Sequence, residues 1–160
     1  MIRRRQLISV RLFAGLVLLL GISSGPAAPG LAHQEINGCR IAPRTVCSDV
    51  DLRGVALRDV DLTGADLRGV TLARATITGV SLSNASLNGA DLTRAALTGV
   101  GLIEADLRDA DLSGTDSSLT DLTRANLRGA ILISTRLENV RCDGTVCPDG
   151  RIATEHDRRC

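Results

Sequence analysis

The side chains able to do chemistry in this chain are five cysteines, two histidines, and 18 acids set against 19 basic residues, all of them arginine. A metal centre needs Cys or His at ligand spacing. No two Cys-x-x-Cys pairs are present, and His33 and His156 lack suitably spaced partners, so no metal is expected. Nucleophilic catalysis needs a nucleophile, a base and an orienting group, and no Ser/His/Asp set or glycine-rich phosphate loop after a strand can be found. Asp91 and Asp111 form a repeating pair, but without a pocket or a nucleophile partner they are not an acid/base couple. No catalytic residue and no cofactor is expected. What remains is cysteine oxidation. Cys39 and Cys47 precede the middle of the chain, and Cys142, Cys147 and Cys160 follow it, as staples at two ends would. The expected pairs are Cys39–Cys47 and Cys147–Cys160, with Cys142–Cys147 as the rival for the second. Each short loop contributes about 2–3 kcal/mol at most. Five is odd; in the first scheme the remaining cysteine is Cys142, stacked in the core over Leu122.

The elements that position these residues follow from a period of five. From Leu52 to Leu137, 18 consecutive positions spaced five apart hold 16 Leu, Ile77 and one exception, Ser117. A helix turns about 100° per residue, so leucines so spaced would spiral around it and give no apolar stripe. A flat strand would throw them alternately onto opposite faces. The chain must instead change direction once per five residues, aiming each leucine at a common axis. Two residues before each leucine stand nine Ala, six Val and three Thr, and neither series contains a charge. A large and a small residue therefore share the interior of each unit, while polar residues face water. Two residues after the leucine, eight units carry Gly, where a corner would fall. At Ser117 the pattern predicts a local bulge over 116–120, with Leu119 turning inward in compensation; plain tolerance of one serine is the alternative.

Units such as Ala65-Asp66-Leu67-Arg68-Gly69, Ala105-Asp106-Leu107-Arg108-Asp109 and Ala125-Asn126-Leu127-Arg128-Gly129 closely resemble the pentapeptide repeat family, whose unit reads Ala-Asp/Asn-Leu-x-x. The resemblance implies an all-β, single-domain, right-handed quadrilateral β-helix with four units and twenty residues per coil. Eighteen units then make about four and a half coils, a rod of roughly 20 Å at the ~4.8 Å strand spacing. The expected divisions are a leader at 1–32, an N-terminal cap at 33–49, the β-helix at 50–139 and a C-terminal cap and tail at 140–160. The core holds no aromatic residue, the one phenylalanine, Phe13, lying in the leader. Relatives that dimerise through stacked phenylalanines are therefore a poor guide, and the oligomeric state stays open.

Arg3, Arg4 and Arg5, an apolar run from Leu12 to Ile22 and a small-residue zone from Ser23 to Ala32 have the layout of a secretory signal peptide. Cleavage is expected after Ala32, with Ala28 as second choice. Arg4-Arg5 loosely fits a twin-arginine signal, and an uncleaved Leu12–Ala32 would just span a membrane, although Pro26 and Pro29 argue against that. Removing the leader takes away four Arg and no acid, leaving 15 Arg against 18 acids, a net charge of −3. That balance implies no nucleic-acid groove. No membrane insertion is expected after cleavage.

Residues twenty apart would stack on one face. Arg68, Asn88, Arg108 and Arg128 would make a column beside Asp66, Ser86, Asp106 and Asn126, a solvated face of interleaved charges rather than an anion-binding stripe. Thr76, Thr78, Ala96 and Thr98 would instead form a weakly polar patch nearly empty of charge in mid-rod, the face chosen for a protein partner. The function expected is a non-catalytic, exported structural or interaction module. The alternative is a cytoplasmic DNA mimic that protects type II topoisomerases, a role some relatives have. It is disfavoured by the leader and by an Arg-rich surface.

Overall fold

The computed structural model describes residues 34–154. The leader, His33 and the tail from Glu155 to Cys160 lie outside them. Every fifth residue from Arg44 to Gly144 has a backbone φ between 50° and 75°. This left-handed corner turns the chain by one side of a square, and four sides close a coil of twenty residues. Gly fills only part of the series. Arg74, Glu104 and Leu119 also occupy corners, at φ 59°, 58° and 55°, conformations that cost a non-glycine residue on the order of 1 kcal/mol each. The hydrogen-bond ladder between coils over-determines them.

That ladder is parallel and in strict register. One side carries β3 (Ala56–Arg58), β4 (Thr76–Thr78), β5 (Ala96–Thr98), β6 (Asp116–Ser118) and β7 (Arg136–Glu138), a five-stranded sheet in sequential order. The other three sides are single-residue rungs: Asp61–Ser81–Gly101–Asp121–Arg141, Asp51–Thr71–Asp91–Asp111–Ile131, and Val46–Asp66–Ser86–Asp106–Asn126–Val146. The ladder therefore runs past 50–139 at both ends, taking in Cys47, Cys142 and Cys147 on the leucine register. Each leucine N–H donates to the coil above, as Leu67 N does to Ser86 O at 2.8 Å, and the residue before it donates to the coil below, as Asp106 N does to Ala85 O at 2.9 Å. Position 67 and its equivalents point inward: Leu52 through Leu112, Leu122 and Leu127 are at most 4% exposed, and the small residues beside them are buried from Ala65 onward.

Two of the buried threonines at the small position are satisfied by one repeated bond. Thr115 Oγ1 donates to Leu92 O at 3.0 Å and Thr145 Oγ1 to Leu122 O at 2.6 Å, each reaching back 23 residues. Ser117 corrects the expected bulge. β6 runs through it unbroken, pairing Leu97 with Ser117 and Ser117 with Leu137. Its hydroxyl, 2% exposed as a residue, donates to Thr120 Oγ1 at 2.9 Å. Leu119 does not turn inward; it sits on a corner, 64% exposed. Thr120 Oγ1 donates onward to Ser118 O at 3.4 Å, so a serine replaces one leucine without disturbing the backbone.

Some corners are closed from below. At Gly69 and Gly129 an added Cβ would stand 2.2 Å from Oδ1 of Asp49 and of Asp109, one coil earlier. A side chain at either position would push that carboxylate aside, so it is the positive φ that favours glycine there.

The two ends differ. At the front, β1 (Gln34–Ile36) and β2 (Cys39–Ile41) form an antiparallel hairpin around Asn37-Gly38, both at positive φ as a type I′ turn needs. Its Ile41 is buried in the core and Ile36 packs against it. Asn37 Nδ2 donates to Asp51 O at 2.7 Å, and a disulfide joins Cys39 to Cys47 with Cα atoms 5.2 Å apart. At the back, the chain turns after Cys147 and returns antiparallel. Cys147 N donates to Arg151 O at 2.7 Å and Ala153 N to Thr145 O at 2.8 Å. This strand covers the sides holding Cys142 and Cys147, which are buried, but leaves the other two sides bare. Leu132 is only half-buried and Leu137 is 37% exposed. The expectation that the whole register from 52 to 137 is core is corrected there, because nothing among the described residues lies above these two leucines. A Cys147–Cys160 pair falls outside the described residues.

Candidate functional site

The outer surface is built from three positions per unit, and the first is largely structural. The Asp or Asn before each leucine folds back to accept the backbone N–H two residues on: Asp61 from Thr63 at 2.9 Å, Asp91 from Thr93 at 2.9 Å, Asp111 from Ser113 at 2.8 Å, Asn126 from Arg128 at 3.1 Å. This Asx turn satisfies an N–H that points away from both ladders. Asp91 and Asp111 thus each hold their own turn and do not act as a pair. Sequence reasoning treated these acids as solvated charge. The Asp/Asn alternation was the available signal, since only the shared side-chain carbonyl oxygen explains why Asn substitutes.

On the Asp66 side the arginine column is neutralised where an acid precedes it. Arg68 forks onto Asp66, Nε to Oδ1 at 2.7 Å and Nη2 to Oδ2 at 2.6 Å, and Arg108 does the same on Asp106 at 2.8 and 2.6 Å. These bonds hold both carboxyls below the usual aspartate range and push both guanidinium groups up. An anion-binding stripe is not available there. The Asp61 carboxyl is likewise lowered, chiefly by the Thr63 hydroxyl.

These shifts fix the sign of a pH effect. A carboxyl whose pKa is lower in the folded state contributes stability that is complete above the unfolded value near 3.9 and is lost as pH falls through the folded one. Melting temperature is therefore expected to be level from these groups between pH 5 and 7 and to fall below pH 4. Exposure and salt screening keep each Asp–Arg pair weak. Asn keeps the turn, as Asn126 demonstrates, so Asp66→Asn/Asp106→Asn should retain the fold and lose part of that acid-side fall, about 3 °C by thermal melts at pH 3 and pH 6.

The patch expected from sequence lies on the continuous sheet. β4 and β5 pair Thr76 with Ala96 and Thr78 with Thr98. Thr76 and Thr98 are exposed, Thr78 and Ala96 half-exposed, while Ile77 and Leu97 between them are buried. Ser118 Oγ approaches Thr98 Oγ1 at 3.5 Å, extending the hydroxyl row onto β6. Charge borders this patch at Arg58, Asp116, Arg136 and Glu138. The structure thus brings the four residues together on one flat surface.

One further concavity, a cleft of about 330 Å³, lies at the back end against Thr123, Asn139, Val140, Cys142, Asp143 and Thr154. Among the described residues, no three His, Cys, Asp or Glu side chains converge as a metal site.

Comparison with known proteins agrees with this architecture. The profile described as pentapeptide repeats matches eight copies over residues 45–84, 77–114 and 102–139. Among solved structures, HetL, a protein involved in heterocyst differentiation regulation in Nostoc sp. strain PCC 7120, is 34% identical over 69% of this chain and 50% of its own, with a TM-score of 0.50. A pentapeptide repeat protein from the Arabidopsis thaliana thylakoid lumen is also 34% identical, over 58% of this chain and 65% of its own, with a TM-score of 0.56. The chain thus spans half the length of the first and less than two thirds of the second. QnrB1, a plasmid-mediated fluoroquinolone resistance protein, aligns at 14% identity over 65% of this chain and 70% of its own with a TM-score of 0.41, too distant to carry an argument. No curated protein matches. The period, the square coil and the matched repeats place this chain in the pentapeptide repeat family.

Proposed function

We propose that this chain is a non-catalytic, exported interaction module that docks a protein partner on the β4–β5 face. The observation that carries this reading is the flat hydroxyl patch of Thr76, Thr78 and Thr98 beside Ala96, kept clear of charge in mid-rod while other outer positions are rich in Asp and Arg. A rigid sheet presents such a patch without an ordering cost, which favours recognition by shape. Export is supported by the basic and apolar leader, by a disulfide at the front cap, and by a relative from the thylakoid lumen. The topoisomerase-protecting alternative needs an acidic stripe mimicking phosphates, and here Asp66 and Asp106 on one side are each forked by an arginine.

The test begins with the native host: the protein is cross-linked in the exported fraction and its partner identified and purified. Thr78→Arg/Thr98→Arg should weaken binding to that purified partner at least about tenfold with the melt unchanged. Equal binding by the variant would remove this face. Full-length, reduced protein confined to the cytoplasm would overturn the export reading.

A further inference from the structure

Four steps in the chain place an Asn or Asp directly before glycine: Asn37-Gly38, Asn88-Gly89, Asp143-Gly144 and Asp149-Gly150. At such a step the glycine nitrogen can attack the side-chain carbonyl before it, because no Cβ obstructs the five-membered ring that closes. The attack needs that nitrogen released from other bonds. In three of the four it is held. Gly89 N donates to Arg108 O at 2.9 Å, Gly144 N to Ala153 O at 3.0 Å and Gly150 N to Cys147 O at 2.9 Å. Gly38 is the exception. Its turn pairs Ile36 with Cys39 across the hairpin, and among the described residues the N–H of Gly38 has no hydrogen-bond partner. Asn37 and Gly38 are both exposed, and the space where a side chain at 38 would stand is open.

We propose that Asn37 is a site of spontaneous deamidation and that its conversion loosens the front cap. Gly38 N bonds to Cγ of Asn37 while its proton passes, by way of water, to the departing nitrogen. The Cγ–Nδ2 bond breaks and ammonia leaves. Water then opens the cyclic imide at either carbonyl, giving aspartate or isoaspartate. One water enters and one ammonia departs, so no oxidant or reductant is needed. Ring closure requires the turn to open. At the hairpin tip that opening breaks no rung of the coil ladder, whereas at Asn88 it would break the bond from Gly89 to the next coil.

The side chain that is lost does structural work. Asn37 Nδ2 donates to Asp51 O at 2.7 Å and so ties the hairpin tip to the first coil. Either product exchanges that amide donor for a carboxylate, which can only accept, and two acceptors cannot bond each other. Isoaspartate also adds one carbon to the backbone of a two-residue turn, so the register of Ile36 with Cys39 no longer fits. The Cys39–Cys47 disulfide keeps the loosened hairpin attached to the rod. The protein would thus carry an age mark at one end that alters its cap and leaves its coils intact. Neither the site nor its effect depends on the β4–β5 docking reading.

The experiment ages disulfide-intact protein, purified from cells expressing the full sequence, in mildly alkaline buffer. Peptide maps made at intervals are read for the mass gain of amide-to-acid conversion and for isoaspartate. In the folded protein Asn37 should convert at least about tenfold faster than Asn88. In the reduced, denatured chain, where the ladder is gone, the two steps should convert within about threefold of each other. The converted fraction, separated by its added negative charge, should exchange the Leu52 amide about fivefold faster than the parent, with Leu97 unchanged. A smaller ratio between Asn37 and Asn88 in the folded protein would overturn the site, as would an Asn37 that stays intact long after the denatured chain has converted. A converted fraction that exchanges like the parent would overturn the loosening of the cap.

Discussion

Replacing Leu92 by Asp is expected to abolish the cooperative thermal transition. Leu92 is 2% exposed, and its backbone N–H and the carbonyl of Asp111 are bonded across coils at 2.8 Å, so the side chain cannot swing outward without breaking the ladder. An ionised carboxylate there would sit in a core of Leu, Ala and Val where the hydroxyl of Thr115 is already spent on the Leu92 carbonyl. A protonated acid still leaves an unpaired hydroxyl and carbonyl in an apolar core. The cost, several kcal/mol for the buried polar group plus about 2–3 for the lost leucine, is comparable with the whole stability of a domain this size. Circular dichroism during heating is the measurement. A cooperative melt within a few degrees of the parent would mean that the leucine register is not the core.

Removing the front staple should come second in size. In Cys39→Ala/Cys47→Ala the eight-residue separation no longer restrains the unfolded chain, which by loop-closure entropy costs about 2.5 kcal/mol. The effect should be concentrated. Hydrogen exchange at Leu52 and Leu57 ought to accelerate first, because the hairpin with Ile36 and Ile41 is what completes the core at that end. Exchange at Leu87 or Leu97, coils away, should respond only through global unfolding. A reductant applied to the parent protein should reproduce the shift. If neither melt nor exchange changes, the hairpin holds the end without its disulfide.

The parts of this architecture legible from sequence are those governed by period. Leucine at 52, 57 and 62 can only point one way if the chain turns every five residues, whereas Thr76 lying under Ala96 needs the four units per coil that the family resemblance implies. The ends were less legible, because whether Leu137 is core depends on what is placed above it, and no local pattern encodes that. Ser117 was misread for a related reason. Its partner, Thr120, occupies the small position of the next unit, and a serine in a leucine column looks like a defect until that hydroxyl is seen three residues away. The glycines gave a true but partial account of the corners: Arg74 and Leu119 hold the same backbone angle because the coils on either side leave no alternative. The repeat positions the Asp columns but not their work, since an Asx turn is a local backbone bond rather than a contact across the surface.

The twenty-residue step of the ladder has a consequence for how the chain acquires its shape. A coil's partners are only the coils before and after it, so almost every contact closes within about one repeat of sequence. Order can therefore spread as a zipper from a seed. The hairpin, with its tight Asn37-Gly38 turn and its covalent clasp, is the seed this sequence supplies, and it precedes every coil when the chain is delivered N-terminus first. Each further twenty residues that appear can dock onto a finished edge before the next are available. A thread passing through a ribosome exit or a translocation pore could thus be wound into a rod at the rate at which it arrives, with its growing edge always one coil long.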